Sequence, residues 1–233
     1  MTHLSGQDRA EYLREMFDRI AERYDLTNRL MTVGQDVLWR RRLLEKANLP
    51  TSGLMLDLGT GTGDIPLEAL RVQTGLLSVG ADFSEGMLRV GRLRSGGSRV
   101  LWLSTDATRL PFPECTFDVV SSAFLVRNVI DLEQVFREQQ RVLRPGGKVV
   151  CLETTPAVFS LLRPAVQFHL RYVIPFLGQL ISGDKAAYTY LSMSTDDFLS
   201  AENLAKCIRA SGFRDVVFQR MMFGAVALHW GVK

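Results

Sequence analysis

Hydrophobic residues follow two different spacings along the chain, and the change comes near residue 54. Before it, apolar side chains recur at helical intervals, which predicts an N-terminal helix with one apolar stripe formed by Leu13, Met16, Phe17, Ile20, Ala21 and Tyr24. A second helix is predicted at residues 37–47, and Pro50 and Gly53 then interrupt the pattern. We interpret this first part of the chain as a helical cover.

After residue 54, short apolar runs of strand length alternate with amphipathic helical segments. The predicted strands are residues 54–58, 76–81, 100–104, 117–121 and 148–152, and the predicted helices between them include 64–72, 84–94 and 131–143. The last of these helices has Asp131 as a candidate N-cap, Gln134 three residues later, and Pro145-Gly146-Gly147 beyond its end. Such alternation predicts an α/β fold with right-handed crossovers and a doubly wound, mostly parallel sheet.

The alternation stops between residues 154 and 197, where an apolar stretch with prolines is interpreted as a helical lid inserted before the last two strands. A helix at 201–210 and two strand-like runs at 216–220 and 225–230 follow, and consecutive strands predict a terminal antiparallel hairpin. We therefore expect one domain with four parts: a helical cover at 1–50, a core at 51–153, the lid at 154–197, and the final helix and hairpin at 198–233.

Composition excludes several classes of protein. Of the 233 residues, 46% are hydrophobic and 23% charged, which is an ordinary globular balance, and the net charge of +3 is too small to indicate nucleic-acid binding. Cys115, Cys151 and Cys207 lie far apart and form no CxxC pair, which favours a reduced, cytoplasmic protein. No group of residues has metal-ligand spacing, so no metal is expected.

The apolar stretch at residues 158–182 is the segment that suggests membrane contact. Arg163 and Arg171 interrupt it, and its uncharged run at 172–183 is shorter than the roughly 18 residues that a spanning helix needs. We interpret it as a segment that rests on the inner face of a membrane or covers an apolar pocket without crossing the bilayer. A homodimer is left open.

The most informative segment is residues 54–64, where a predicted buried strand runs into Gly59, Gly61 and Gly63 and then into a helix. Glycines in such a turn allow unusual backbone angles and a close approach by a ligand. Asp64 replaces the third glycine of a dinucleotide fingerprint, and a Walker lysine is missing. Asp57 and Asp64 flank the loop and would repel a pyrophosphate, but they suit a ligand with an ammonium and a sulfonium group. S-adenosylmethionine has both.

Two further acids follow the next two predicted strands. Asp82 ends the second strand, where α/β nucleotide sites place a ribose-binding acid, and Asp106-Ala107 follows the third, where a carboxylate can accept from an adenine amine. A lone glycine turn, or Asp82 as a helix cap, would be purely structural. Because the carboxyl ends of parallel strands meet at one edge of the sheet, the combination favours an S-adenosylmethionine site.

Further motifs extend over nearly the whole chain. They are residues 17–28 (FDRIAERYDLTN) with Met31, Gly34, Leu38, Trp39 and Arg40, then Leu110-Pro111-Phe112, Thr116-Phe117-Asp118, Arg127-Asn128-Val129, Leu152-Glu153-Thr154, residues 174–178 (IPFLG) and residues 224–229 (GAVALH). Taken together, they resemble the ubiquinone/menaquinone biosynthesis C-methyltransferase family.

The resemblance implies a class I S-adenosylmethionine-dependent methyltransferase fold and a demethylated menaquinol or ubiquinol precursor with an isoprenoid tail as substrate. Together with Gly59 and Gly61 of the loop, the residues implied to contact the cofactor are Tyr24, Thr62, Asp82, Asp106 and Ala107. Acceptor contacts are expected from Leu125, Tyr188 and His229. The sequence departs from the family pattern at Ala123, Leu125 and Leu199, where serine, glycine and proline are usual, so a relative acting on another aromatic or quinone is also compatible with it.

The chemistry points to Arg127 and Asn128, which follow the fourth predicted strand at the expected ligand edge. A ring carbon becomes nucleophilic when a neighbouring hydroxyl loses its proton, and a free phenol has a pKa of about 10. Arginine is a poor proton acceptor because its own pKa exceeds about 12. The hypothesis is that Arg127 stabilises the phenolate, directly or through a water that Asn128 orients. The alternative is that Arg127 only pairs with an acid such as Asp131.

Other interpretations stay open at this point. His229 has a suitable pKa for a base, but on an apolar strand a hydrogen-bonded structural histidine is favoured, and His169 is undecided. Tyr24 and Tyr188 fit core and lid packing equally well. Compatible alternative functions are a methyltransferase acting on another aromatic or quinone-like molecule, and a non-catalytic S-adenosylmethionine-binding protein.

Overall fold

The computed structural model describes residues 6–156, 168, 172–196 and 198–233. One seven-stranded sheet runs through this part of the chain, with strands β1 (Ser52–Leu58), β2 (Gly75–Asp82), β3 (Val100–Ser104), β4 (Phe117–Ala123), β5 (Leu143–Thr154), β6 (Arg214–Met221) and β7 (Val226–Val232). Their order across the sheet is β3-β2-β1-β4-β5-β7-β6. The first five strands pair in parallel, and β7 pairs antiparallel with both β5 and β6.

The helices of the described chain are α1 (Gly6–Ile20), α2 (Tyr24–Met31), α3 (Gln35–Ala47), α4 (Asp64–Val72), α5 (Glu85–Leu93), α6 (Leu132–Val142), α7 (Ile174–Ser182), α8 (Lys185–Asp196) and α9 (Ala201–Ala210). They cover both faces of the sheet. Val119 and Val120, neighbours on β4, point to opposite faces: Val119 packs in a cluster with α3 and α4, Val120 in one with α6 and α9. The predicted doubly wound architecture and the terminal hairpin are confirmed.

The N-terminal cover differs from its prediction. The helix expected through Tyr24 ends at Ile20, and a turn of 3-10 helix separates it from α2, which begins at Tyr24. Tertiary contacts account for the bend, since Asp18 of α1 accepts hydrogen bonds from Ser84 Oγ (2.6 Å) and Gly86 N (2.7 Å) at the start of α5. Beyond the bend, α2 packs on α7, whereas α1 packs on α5.

The helix that was expected to run to residue 143 also ends early. Asp131 caps α6 by accepting from Gln134 N (2.9 Å), as predicted, but α6 ends at Val142. The next strand starts at Leu143, so Pro145-Gly146-Gly147 lies inside an irregular first part of β5 rather than directly after a helix. The pairing of Phe117 with Leu143 extends the strand to this point.

Above the carboxyl edge of the sheet, α7 and α8 are the described part of the segment that the sequence analysis interprets as a lid. They approach closely at Gly178, where an added Cβ would lie 2.4 Å from the ring of Tyr188. Much of the apolar stretch at 158–182, including His169, lies outside the described residues. None of the helices in the described part of the chain combines the length and hydrophobicity that spanning a bilayer requires.

Candidate active site

The glycine loop between β1 and α4 has left-handed backbone angles at all three glycines, with φ of 63° at Gly59, 55° at Gly61 and 86° at Gly63. An added Cβ would lie 2.8 Å from Leu125 at Gly59 and 2.3 Å from Trp102 at Gly63, so these two glycines are required for packing. At Gly61 the corresponding position is open, with Tyr24 4.0 Å away. The loop therefore keeps bare backbone exposed at its centre.

Asp82, at the end of β2, faces this centre. Its carboxylate accepts from Gly61 N (2.7 Å) and Ser84 N (2.9 Å), and the side chain is almost fully buried. Burial raises the pKa of Asp82 to about 6, against the lowering effect of these backbone hydrogen bonds. Each carboxylate oxygen has two lone pairs, so both oxygens can still accept from a ligand.

A cavity of about 130 Å³, here called the loop cavity, lies between this edge and the cover helices. Six of the seven residues predicted to contact the cofactor line it: Tyr24, Gly59, Gly61, Asp82, Asp106 and Ala107. Asp106 accepts from both Thr108 N and Thr108 Oγ1 (2.8 Å each), which orders the loop after β3. Phe17, Phe83 and Met87 also line the cavity and were not predicted as site residues.

Thr62 is not among the residues lining either cavity described here. Its hydroxyl donates to Asp25 of α2 (2.6 Å) and accepts from Arg94 (3.2 Å). The structure therefore places Thr62 at the contact between the loop and the cover.

The two acids that flank the loop, Asp57 and Asp64, do not line the loop cavity. Asp64 lies away from the loop cavity and pairs with Arg94 (2.7 Å) and Arg40 (3.4 Å). Burial raises its pKa, but the guanidinium groups of Arg40 and Arg94 outweigh burial and hold it below the ordinary value. Its negative charge is thus paired with two arginines within the protein, and the expectation that Asp64 serves the ligand stays a prediction.

Asp57 is buried beneath the loop and accepts from Ser121 Oγ (2.5 Å). Burial raises its pKa to about 7, and its Oδ2 has no hydrogen-bond partner among the described residues. Asp57 does not line the loop cavity but lies directly before the lining residues Leu58 and Gly59.

A second cavity of about 490 Å³, here called the apolar cavity, lies between α2, α3 and the lid. Tyr24 and Phe124 line both cavities and so form their common wall. Met31, Trp39 and Leu191 contribute apolar surface, while the charged side chains of Asp36, Arg40 and Arg127 also reach this cavity.

Arg127 follows β4 in a short 3-10 turn and is almost fully buried. Its Nη1 pairs closely with Glu153 at the end of β5 and also donates to Phe124 O (3.1 Å). The acid paired with Arg127 is therefore Glu153, whereas Asp131 caps α6. The Nε of Arg127 is buried and has no hydrogen-bond partner among the described residues.

Asn128 lies on the other side of the common wall and lines the loop cavity. Its Nδ2 donates to Phe124 O (3.2 Å), and its Oδ1 accepts from Tyr190 of α8 (3.4 Å). The predicted pair is thus divided between the cavities: Arg127 lines the apolar cavity and Asn128 the loop cavity.

The three predicted acceptor residues have different positions. Tyr188 lines the apolar cavity, whereas Leu125 lines the loop cavity beside Gly59. His229 lines neither of the two; it is buried in β7, stacks on Phe218 at 5.4 Å, and has Nε2 2.8 Å from Ala201 O. Burial lowers the pKa of His229. The structure does not bring His229 to the site, and its contacts are those of the structural histidine considered above.

Phe124 is the important residue that the sequence did not reveal. It has a left-handed φ of 58°, which is strained for an aromatic residue. Its carbonyl accepts from both Arg127 and Asn128, and its ring lies 5.9 Å from the guanidinium of Arg40 and 5.7 Å from that of Arg127. A residue-type pattern cannot predict such an angle, because nothing about phenylalanine favours it.

Comparison with known proteins decides the family. A family model described as the ubiE/COQ5 methyltransferase family matches residues 5–233. The chain belongs to this family. It is 48% identical, over 95% of this chain and 90% of the relative, to the ubiquinone/menaquinone biosynthesis C-methyltransferase UbiE of Desulfotalea psychrophila. It is 42% identical, over 93% of this chain and 99% of the relative, to the demethylmenaquinone methyltransferase of Thermus thermophilus.

Solved structures agree on the fold. A SAM-dependent methyltransferase from Thermotoga maritima matches 94% of this chain and 98% of its own length with a TM-score of 0.63 and 20% identity. A phosphoethanolamine N-methyltransferase from Haemonchus contortus matches 83% of this chain and 52% of its own length, also with a TM-score of 0.63, at 19% identity. Membership of the ubiE/COQ5 family makes this chain an S-adenosylmethionine-dependent methyltransferase.

The residues present fit that cofactor. Gly61 leaves open the space that a side chain would fill, and Asp82 retains acceptor capacity for ribose hydroxyls. Asp82 and Asp106 line the loop cavity with carboxyl groups, which favour a cationic ligand when ionised. When bound, S-adenosylmethionine supplies a methyl group on a sulfonium, which is a strong electrophile with a good leaving group.

Proposed function

We propose that this ubiE/COQ5 family member transfers the methyl group to a ring carbon of a prenylated quinol, either a demethylmenaquinol or a ubiquinol precursor. The observation that carries the proposal is the pair of adjoining cavities, which share Tyr24 and Phe124 as a wall. The larger cavity is mainly apolar, which suits a hydrophobic ring with the first part of an isoprenoid tail. The names of the relatives support the same substrate class.

In this proposal, Arg127 stabilises the quinol as its phenolate. Nη1 is fixed by Glu153 and Phe124 O, so the guanidinium has a set orientation, and Arg127 lines the apolar cavity in which the acceptor oxygen would lie. In the buried cavity a charged donor stabilises the anion more than it would in water. Asn128 positions the acceptor from the other side of the wall, and orientation of the reacting atoms supplies the remaining rate enhancement.

The test is a methyl transfer from isotopically labelled S-adenosylmethionine to demethylmenaquinol, with the label located by mass spectrometry. Label on a ring carbon supports the proposal, and label on oxygen supports action on another type of acceptor. Arg127→Ala should lower kcat by about a hundredfold or more with cofactor affinity retained. Arg137→Ala, in an exposed pair with Glu133, is the matched control. Normal turnover by Arg127→Ala and Arg127→Lys would refute the role of Arg127.

We further propose that the mouth of the apolar cavity rests on a lipid surface. Large exposed apolar side chains lie on α2, on α7 and in the turns after α2 and before β7, here called the apolar rim: Leu26, Leu30, Val33, Phe176, Leu180 and Phe223. The same helices and turns contribute residues to the lining of the cavity. Val33 and Phe223 also line the cavity, so the rim and the cavity form one continuous apolar path. A tail longer than the cavity could then remain in lipid while the ring reaches the wall.

Sedimentation with phosphatidylglycerol vesicles tests this surface. The double variant Phe176→Ser/Leu180→Ser should weaken vesicle partitioning by about tenfold or more, because two apolar side chains no longer insert. Leu93→Ser removes an even more exposed apolar side chain from α5 and should have no effect. Equal binding by the two variants would exclude the rim as the contact surface.

A further inference from the structure

Glu153 is a buried acid for which the family resemblance provides no role. It lies at the end of β5, is fully buried, and accepts from Arg127 N (3.3 Å) and closely from Arg127 Nη1. Thr154 N (2.8 Å) and Thr154 Oγ1 (3.3 Å) also donate to it. A buried carboxylate needs such partners, so the position of its oxygens is set jointly by Arg127 and Thr154.

Thr154 extends this network to the lid. Its hydroxyl lies 3.0 Å from the hydroxyl of Thr195, which is on α8 and is buried. The contacts therefore run without a break from α8 through Thr195, Thr154 and Glu153 to Arg127.

The same helix reaches Asn128 by a separate contact. Tyr190 of α8 donates to Asn128 Oδ1 (3.4 Å), and Arg9 of α1 donates to the hydroxyl of Tyr190 (3.3 Å). Since Asn128 also donates to Phe124 O, Tyr190 holds one end of its amide group and the backbone holds the other. Both members of the Arg127-Asn128 pair are thus connected to one lid helix.

That helix also forms a wall of the apolar cavity, through Tyr188, Leu191, Ser192 and Thr195. An acceptor in the cavity therefore contacts the element that orients Arg127 and Asn128. We propose that Glu153, Thr195 and Tyr190 are positioning residues, through which the seated lid helix α8 sets the orientation of Arg127 and Asn128 for methyl transfer. The inference rests on the proposed function of that pair.

The chain offers matched variants to test this. Thr195→Val removes the hydroxyl at nearly constant shape. Thr189→Val does the same on α8, where the hydroxyl bonds to Lys185 O of its own helix as the Thr195 hydroxyl does to Leu191 O. Thr195→Val should lower kcat for demethylmenaquinol about two- to tenfold, as expected for one neutral hydrogen bond, with cofactor KM unchanged. Thr195→Ser, which keeps the hydroxyl, should restore kcat. Tyr190→Phe should lower kcat similarly, and the exposed Tyr172→Phe should not.

Glu153→Gln supplies a readout that a merely structural role would not change. It keeps the shape of the side chain but removes a negative charge beside Arg127, so the phenolate should form at lower pH. The acid limb of the kcat–pH profile should move down by about one pH unit. Kinetics is measured on folded protein, with thermal melting of each variant compared with Thr189→Val.

The results separate this inference from the proposed function. If Thr195→Val and Tyr190→Phe turn over like their controls and Glu153→Gln leaves the pH profile in place, the positioning inference is overturned, whatever Arg127→Ala does. If Arg127→Ala retains normal turnover, the proposed role of the pair fails first. Low kcat that Thr195→Ser does not restore would also count against positioning by the hydroxyl.

Discussion

The acidity of Asp82 leads to a quantitative prediction for cofactor binding. Its carboxylate lines the loop cavity and already accepts from Gly61 N and Ser84 N. Cofactor ribose hydroxyls need further acceptor lone pairs, and a protonated carboxyl group loses part of that capacity. We expect S-adenosylmethionine to bind the ionised form of Asp82, so that affinity falls as pH decreases through its pKa.

The size of the effect follows from the pKa of about 6. If only the ionised form binds, the apparent Kd is multiplied by 1 + 10^(pKa − pH), which is about 11 at pH 5, about 2 at pH 6 and close to 1 at pH 8. Binding should also release about half a proton at pH 6, where the free carboxyl group is half ionised. The sign is fixed, because a ligand that prefers the charged form lowers the pKa.

Isothermal titration between pH 5 and pH 8, in buffers with different ionisation enthalpies, measures both quantities. Asp82→Asn should bind more weakly at pH 8 and lose most of the pH dependence. Asp57 titrates in a neighbouring range, with a pKa of about 7, but does not line the loop cavity. Asp57→Asn should therefore retain the tenfold change in Kd expected between pH 5 and pH 8.

A flat affinity profile in the unmodified protein, or proton uptake at pH 6, would refute this account. Either result would mean that the cofactor binds without using the Asp82 carboxylate. An unchanged profile in Asp82→Asn would assign the titration to a different group.

Three further predictions follow from single residues of the site. Gly61→Ala should weaken cofactor binding, because the added methyl group fills the space left open at the centre of the loop. Gly146 also has a left-handed φ but lies in open space, so Gly146→Ala should cost only about 1–2 kcal/mol of stability and leave the cofactor Kd unchanged. Equal cofactor Kd values for the two variants in calorimetry would contradict this. Asp57→Asn should stabilise the ligand-free protein at pH 8 by at most about 4 kcal/mol. Because the pKa of Asp57 is raised in the folded state, the free energy of unfolding of the unmodified protein should fall between about pH 4 and pH 7. Urea titration at pH 5 and pH 8 measures this fall and should show it reduced in the variant. Asp64→Asn should lower stability by about 1–3 kcal/mol, since Arg40 and Arg94 lose their shared partner, and should leave the cofactor Kd nearly unchanged. A large change in the cofactor Kd would mean that Asp64 contributes to cofactor binding.

Much of the fold could be predicted because local pattern and tertiary structure agree in the core. The helices at 64–72 and 201–210 have the predicted bounds, since a glycine loop and a serine cap mark where they start. The break at residues 21–23 could not be predicted, because the apolar stripe continues across it. The bend depends on Asp18 binding the start of α5, through contacts between residues 66 and 68 positions apart in sequence.

The site was predictable where backbone geometry dictates residue type. Gly61 and Asp82 lie where strand ends and left-handed turns require such residues, and both line the loop cavity. Side-chain pairs between distant residues could not be predicted from the sequence. Arg127 is an example, because its partner Glu153 is 26 residues away on the neighbouring strand. A residue within a distinctive motif can also lie away from the candidate site. His229 is buried against Phe218, because β7 lies between β5 and β6.

Asp64 and Thr62 show why charges near a ligand loop need not belong to the ligand. Asp36, Arg40, Asp64, Arg94 and Asp25 form a series of alternating charges from α3 to α2, and Thr62 closes it by donating to Asp25. Each acid of the series pairs with at least one arginine, so the series holds the cover helices against the loop without leaving an isolated buried charge. We therefore expect the acids of this series to be paired with arginine when the cofactor binds. Asp82, whose carboxylate is held by backbone N–H groups rather than by arginine, lines the loop cavity and is expected to serve the cofactor.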